Sequence, residues 1–513
     1  MAALAAIGAL ACLAMGVFAT PTAFLLLWYH WGAFVAPVEA IRGGGIPFAD
    51  VPVQYGLGPT AAIAALCKSD CWPAAYLAVS VSNVLYLLAM GGCILTLTGD
   101  LSMGEALLAV SAMTVAVLGW AGYPVDFNAL LGFPSEGGLR FLPLAALVLT
   151  ILRGEAAGRP KLWLGHLIWL VSMVWSPEAA FFASVLWWPY VTMRRARAGT
   201  GLWPVTKQLV LGVTQAVLAV IAAYALFAVA FRMSFGAWPS VIGFLTYVKN
   251  PPGVLPPNLS GPLWLVLAAL AGALFVMAHS NTRELPTRFA CTAAVVAVFS
   301  YYIGRSHDNN VLNLFPFLVL TLVCLLRPGS PPVLAGFSRT VLACMLAWLA
   351  CFGNQSWSRA VHAGNIALLG PQRLFAAMRL DRPEAQQLLA DAFGEFTKSF
   401  GSLADAGSAL AWLREQNAGP PLFISPGIVM ARGVPGPTWT GMNNTATYDH
   451  LPMPVVEAYI RRGAASFRAP GWILVDRLNP GPWLDEFRVA YDIAEERAFG
   501  DYVAYRLVPR SGS

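Results

Sequence analysis

The stretch Gly43-Gly-Gly-Ile-Pro-Phe-Ala-Asp50-Val-Pro-Val-Gln-Tyr-Gly-Leu-Gly-Pro59 follows directly on a first apolar run. Its glycines and prolines forbid a regular helix and impose a shaped turn. It holds one carboxylate, Asp50. Irregular backbone near a bilayer surface is tolerated where protein or a water-filled cavity satisfies its polar groups. A lone loop Asp ordinarily caps a turn. Asp50 rises above that reading because the rest of the chain places further polar clusters on the same side of the membrane.

The membrane follows from composition. Of 513 residues, 58% are hydrophobic and 11% charged, with a mean hydropathy of +0.63. A soluble domain carries about 25% charged residues, so most of this chain is solvated by lipid. The run from Met1 to Gly16 lacks a basic leader and a clear cleavage site, and is expected to be retained. The net charge of +6 lies largely in loops flanking apolar runs. It reads as topology rather than nucleic-acid binding. Six of the eight cysteines lie in or beside apolar segments, where a free thiol behaves as a small hydrophobe. Cys67 and Cys71 have a spacing that suits a disulfide on an oxidising face and equally suits no bond at all.

A span needs about 20 apolar residues. Eleven are expected, near 5–29, 72–97, 103–122, 139–153, 161–176, 178–193, 208–231, 262–279, 287–304, 311–327 and 337–353. With a cytoplasmic N-terminus, the inner connections hold Arg153, Arg159, Lys161, Arg194, Arg195, Arg197, Lys207, Arg283, Arg288, Arg327 and Arg339. The outer ones hold Arg42, Lys68, Arg140, Arg232, Lys249 and Arg305. Eleven against six is a positive-inside bias. The odd number of spans puts everything after residue 353 outside. Residues 1–353 are thus expected to form a polytopic α-helical membrane domain, and 354–513 a soluble α/β domain on the extracytoplasmic side. In that tail, 383–393 and 402–416 have helical apolar spacing. The runs at 421–425, 471–476 and 502–508 have strand character.

Four polar clusters fall on the outer side. The Asp50 loop is the first, and Trp175-Ser-Pro-Glu178 the second. The third is the connection from Arg232 to Pro262, with Tyr247-Val-Lys249-Asn-Pro-Pro-Gly. The fourth is Tyr301-Tyr-Ile-Gly-Arg305-Ser-His307-Asp308-Asn-Asn. Ser176-Pro177-Glu178 reads first as a helix start: a hydroxyl cap, Pro in the first turn and a carboxylate facing the dipole. Lys249 suits an interfacial anchor as well as a ligand contact. Arg305, His307 and Asp308 are harder to dismiss. Ionisable groups wedged between apolar runs are costly and functional by default. A guanidinium with an adjacent imidazole suits a lipid phosphate.

These motifs resemble those of GT-C-type integral membrane glycosyltransferases. The resemblance rests on Gly-x-Pro-Phe-Ala-Asp-Val-x-Val-Gln-Tyr-Gly-x-Gly-Pro, Trp-Ser-Pro-Glu, Gly-Arg-Ser-His-Asp-Asn-Asn and the outer C-terminal domain. It implies that Asp50 is the catalytic base. It further implies a polyprenyl-phosphate sugar donor whose phosphate is held by Arg305 and His307. Many members show two adjacent acidic residues in the first loop. Here Ala49 precedes Asp50, so the base rests on one residue.

Asp50 would accept the acceptor's proton, and Arg305, His307 and Lys249 would stabilise the departing phosphate. Gln54, Tyr55, Glu178 and Asp308 are supporting candidates. In the tail, Trp439, Asn443 and Tyr448 offer an aromatic platform and amide and hydroxyl groups suited to an acceptor sugar, although a polar loop has the same composition. One base without a second catalytic carboxylate implies inversion. There is no glycine-rich nucleotide loop, no metal signature and no expected cofactor. The expected partners are the lipid-linked donor, a glycan, lipid or protein acceptor, and membrane lipids. The expected location is a bacterial inner membrane. A transporter or flippase of lipid-linked glycans is the rival reading, but it should carry polar groups at midspan and inverted repeats. The polar groups here crowd one face.

Overall fold

The structure, a computed structural model, describes residues 71–118, 137–196, 202–240, 263–280, 283–304, 313–347, 403–418, 421–424, 470–478 and 483–510, with most of 34–67 and Leu259. The expected span at 5–29, the expected helix at 383–393 and most of the tail's interior lie outside these residues.

The apolar runs form helices. They are α1 Leu57–Leu66, α2 Trp72–Leu97, α3 Met103–Leu118, α4 Gly138–Ala156, α5 Leu162–Trp175, α6 Pro177–Ala196 and α7 Leu202–Phe235. Then come α8 Leu263–Ala278, α9 Leu285–Gly304, α10 Phe315–Leu326 and α11 Pro332–Ala347. One expectation is corrected at the start. The stretch from Gly43 to Pro59 is not irregular throughout, because α1 begins at Leu57. Pro59 falls in its first turn, where the missing N–H would have had no helical partner anyway.

Lengths also differ from expectation. The tenth span shortens from 311–327 to the 12 residues of α10. The seventh lengthens to the 34 residues of α7. Among the described residues, two segments are long and apolar enough to cross a membrane by themselves, Leu77–Asp100 and Thr206–Phe235. Leu209, Val210, Val213, Leu218, Ile221 and Leu226 of α7 are all at least half exposed. They point in different directions around the helix. A long helix that is apolar around its circumference and unburied has lipid as its solvent.

The centre is α10, where Phe317, Leu318, Val319 and Leu320 have no exposed surface. It packs against α2, α3, α8 and α9. Hydroxyls fix it in place: Thr321 donates to the Cys291 carbonyl at 3.1 Å, and Ser338 on α11 donates to the Leu322 carbonyl at 2.6 Å.

Charges sort to the two ends of the bundle. At one end, Arg327 reaches Asp100 at 2.8 Å, Glu284 at 3.1 Å and the Leu97 carbonyl at 3.1 Å. Beside it Arg339 pairs with Glu105 at 2.7 Å, and Glu155 takes both Arg194 and the Tyr190 hydroxyl. This is the end where the alternation of helices places the expected inner connections. The other end begins with Gly138, whose amide donates to Asn83 Oδ1 at 2.7 Å.

In the tail, α12 Leu403–Glu415, β1 Leu422–Ile424, β2 Gly471–Asp476, α13 Trp483–Ala490, β3 Tyr491–Phe499 and β4 Tyr502–Pro509 are described. The four strands form one sheet in the order β1-β2-β4-β3, with β1 parallel to β2 and the other pairs antiparallel. Ile473, Leu474, Tyr502, Ala504 and Leu507 are buried. Trp412 of α12 lies edge-on to Trp472 at 5.2 Å, under the Arg497 guanidinium at 4.5 Å. One buried cluster joins Ala406, Leu410 and Leu413 of α12 and Leu474 of β2 to Phe34, Val38, Tyr55 and Ile63. The sheet side of the tail therefore meets the segment around the first loop.

Cys67 and Cys71 are bonded to each other, closing the connection from α1 to α2. Arg42 donates to Cys71 Sγ at 3.6 Å. Disulfides persist on oxidising faces. Peptide mapping of denatured, unreduced protein is therefore expected to find Cys67 and Cys71 resistant to maleimide, and both labelled after reduction. Labelling without reductant would place this connection on a reducing face.

Candidate functional site

The first loop is built around a tight turn. The Phe48 amide donates to the Val51 carbonyl at 2.8 Å, while the Ala49 and Val51 amides donate to the Ile46 carbonyl at 3.2 and 3.1 Å. Closing that turn puts Phe48 at a φ of 60°, a left-handed conformation costly for a bulky side chain. Burial offsets the cost. Phe48, Val51, Val53 and Leu57 pack with Phe231 near the end of α7, flanked by Phe227 and Phe235. Asp50 lies outside the described residues, but Ala49 and Val51 on either side of it belong to this turn.

Two glycines then set the loop against the α5–α6 connection. Gly56 has a φ of +102°, and a Cβ there would fall 2.7 Å from Ser176 Cβ and closer still to the Trp175 carbonyl. A Cβ on Gly58 would fall 2.7 Å from the Val174 carbonyl. The Thr60 hydroxyl donates to the Gly56 carbonyl at 2.7 Å, closing the start of α1. On the other side of the contact, the helix-start reading holds. Ser176 Oγ accepts the Ala179 amide at 3.0 Å, Pro177 opens α6 and Glu178 lies in its first turn. The Trp175 indole donates to the Leu139 carbonyl at 2.6 Å, tying this turn to the start of α4.

Arg140, in the first turn of α4, is the hub. Its Nε meets Glu178 Oε2 at 2.8 Å, and its guanidinium lies over the Tyr301 ring at 4.3 Å from the centroid. The Tyr55 phenol is close enough to interact with it electrostatically. Tyr55 is itself buried, edge-on to Phe34 at 6.3 Å between centroids. The Arg140 side chain is 11% exposed and that of Glu178 is 42% exposed. The cation is thus sunk in the bundle end, with its carboxylate partner on the solvent side. A guanidinium so placed holds the Glu178 carboxylate, with an aromatic face for support.

Of the expected site residues, the structure brings Tyr55 and Glu178 together through Arg140. Gln54, Lys249, Arg305, His307, Asp308, Trp439, Asn443 and Tyr448 lie, like Asp50, outside the described residues. α9 ends at Gly304, directly before Arg305, and carries Tyr301 into the cluster. Three of the four outer polar clusters are therefore represented around one guanidinium. Among the described residues, no group of three or more His, Cys, Asp or Glu could hold a metal ion. The sequence reading counted Arg140 only as a topological charge. The signal that marks it is a guanidinium one residue inside an apolar run, where an ionisable group is functional by default.

No protein-family model and no curated protein matches this chain. Among solved structures, the crystal structure of ArnT from Cupriavidus metallidurans in the apo state is similar at 13% identity and a TM-score of 0.38, over 98% of this chain and 96% of that one.

The loop contact makes a prediction of its own. Gly56→Ala adds a methyl group against backbone at a positive φ, a strain on the order of 1–3 kcal/mol. Thermal melting of the purified variant is expected to show a clear drop in Tm. An unchanged Tm would mean that the first loop does not seat on the α5–α6 turn.

Proposed function

We propose that this chain is an integral membrane glycosyltransferase of GT-C type. It moves a sugar from a polyprenyl-phosphate donor to a glycan, lipid or protein acceptor on the outer side of a bacterial inner membrane. The observation that supports this reading is the convergence of the first outer loop, the Trp-Ser-Pro-Glu turn and the end of α9 around Arg140. A polar site at one end of a lipid-solvated bundle suits a substrate whose tail stays in the membrane and whose headgroup reacts at its surface. Midspan polar groups, which a transporter would need, are not what gathers here.

In the proposed reaction the acceptor hydroxyl attacks the anomeric carbon and Asp50 takes its proton. The bond from that carbon to the phosphate oxygen breaks, and the lipid phosphate leaves with the electron pair. Its charge is stabilised by Arg305, His307 and Lys249. Direct displacement by one nucleophile inverts the anomeric centre. Gln54, Tyr55 and Asp308 support the headgroup, Glu178 supports the site as the partner of Arg140, and Trp439, Asn443 and Tyr448 of the tail help select the acceptor. The N-terminus is cytoplasmic and the tail periplasmic, consistent with the basic bias and with the cluster that joins α12 to the first loop's surroundings.

The test is Asp50→Asn, which keeps size and hydrogen-bonding reach but removes the base. Base catalysis contributes about 100- to 10,000-fold. Purified variant given a polyprenyl-phosphate sugar and acceptor is expected to lose at least that lower factor in turnover while still binding donor. Retention of more than about a tenth of wild-type turnover is too small a loss for a base of that strength, and would end this reading.

A further inference from the structure

We propose that Arg140 is a phosphate-binding group for the lipid donor and that Glu178 is its resting counter-ion, displaced when the phosphate arrives. The proposal rests on the glycosyltransferase reading and adds to it a cation outside the set of Arg305, His307 and Lys249.

Three features of the pair carry it. The first is asymmetry of exposure. Arg140 is 11% exposed and Glu178 is 42% exposed, so an incoming anion can take the carboxylate's place from the solvent side without uncovering the cation. The second is independent support for the cation. The Tyr301 ring lies 4.3 Å from the guanidinium carbon, and this contact does not involve Glu178, so the guanidinium keeps its position when the carboxylate moves away. The third is location. Arg140 and Tyr301 lie at the end of the bundle that also carries the first loop, the Trp175 turn and Gly304, the residue before Arg305.

Chemistry agrees with the placement. A guanidinium presents a planar fork that matches two phosphate oxygens as well as it matches a carboxylate. Burying an ion pair costs desolvation that apolar packing would avoid, so a pair kept in an apolar bundle end is poor evidence for stability alone. Glu178 neutralises Arg140, and exchange for a phosphate leaves the cation partnered. No bond is made or broken in this step. The carboxylate swings out as the headgroup enters.

The experiment measures binding of a long-chain polyprenyl monophosphate to the full-length protein in nanodiscs, with inorganic phosphate in a parallel arm. The variants are Glu178→Gln, Arg140→Gln, Arg140→Lys and the double variant Glu178→Gln/Arg140→Gln. Melting curves accompany each. Glu178→Gln removes the competing charge and is expected to tighten binding several-fold. Arg140→Gln is expected to weaken it by about tenfold or more, the scale of a hydrogen bond to a charged group. Arg140→Lys keeps the charge but loses the fork and should fall between. In the Arg140→Gln background, Glu178→Gln should no longer tighten binding. Inorganic phosphate is expected to follow the same order more weakly. The same order with inorganic phosphate as strong as the lipid would contradict a lipid-headgroup site.

The proposal is overturned if Glu178→Gln leaves binding unchanged or weakens it in a folded protein, or if Arg140→Lys binds as wild type does. If wild type binds polyprenyl phosphate and the Arg140 variants bind it equally, this proposal falls and the donor assignment stands. If wild type binds none, both fall.

Discussion

An ionised side chain in an apolar bundle has to be neutralised by a partner within reach, since lipid offers it nothing. Two hubs among the described residues show how this is met, one at each end, while the buried Arg288 relies on the hydroxyls of Ser280 and Ser330 and the Pro328 carbonyl. At one end Arg327 gathers Asp100, Glu284 and a backbone carbonyl, so the ends of α2, α9 and α10 are held by one guanidinium. At the other, Arg140 gathers Glu178 and the Tyr301 face, holding α4, α6 and α9. The two hubs differ in kind. Arg327 has two carboxylates and is a closed structural knot. Among the described residues Arg140 has one carboxylate, which faces solvent, and an aromatic ring that cannot neutralise it fully.

Around the second hub the chain accepts local strain. Phe48 takes a left-handed φ costly for a bulky residue, while Gly56 lies without strain where a Cβ would meet the Trp175–Ser176 backbone. Neither is needed to connect one span to the next, since a loose loop would do that at lower cost. The apolar cluster with Phe231 and the contact with the α5–α6 connection hold the turn containing Ala49 and Val51 in one place. Strain held by surrounding packing fits the preorganised site proposed above. The tail's contact with the segment around Tyr55 fits the same picture, because it brings α12 and the sheet to the same end.

The helices were legible because apolar runs are a strong signal. α2 lies at the expected bounds of 72–97, and α9 begins within two residues of expectation. Ends were less legible. α10 ends within one residue of expectation, before Arg327-Pro328-Gly329, but it begins only at Phe315, with Pro316 in its first turn, four residues later than the apolar run suggested. In the tail, β2 was readable as an apolar run over 471–476. The strand β3, Tyr491-Asp-Ile-Ala-Glu-Glu-Arg-Ala-Phe499, was not, since it is a sheet edge whose middle faces solvent and carries no alternation. At the site, Glu178 was read first as a cap residue. It does lie in the first turn that Ser176 caps, and it also pairs with Arg140. One residue meeting two demands cannot be separated by sequence spacing, because the second partner lies 38 positions away and only packing brings it near.

The central claim is that a lipid-linked sugar is consumed at the outer end of this bundle. Mass spectrometry of envelope glycans and of the polyprenyl-lipid pool, in cells with and without the protein, tests it most directly. The account predicts that one sugar disappears from the envelope material while a polyprenyl-phosphate monosaccharide accumulates. An unchanged envelope with an unchanged lipid pool would contradict it. So would accumulation of a complete lipid-linked glycan confined to the cytoplasmic leaflet, the signature of a missing flippase.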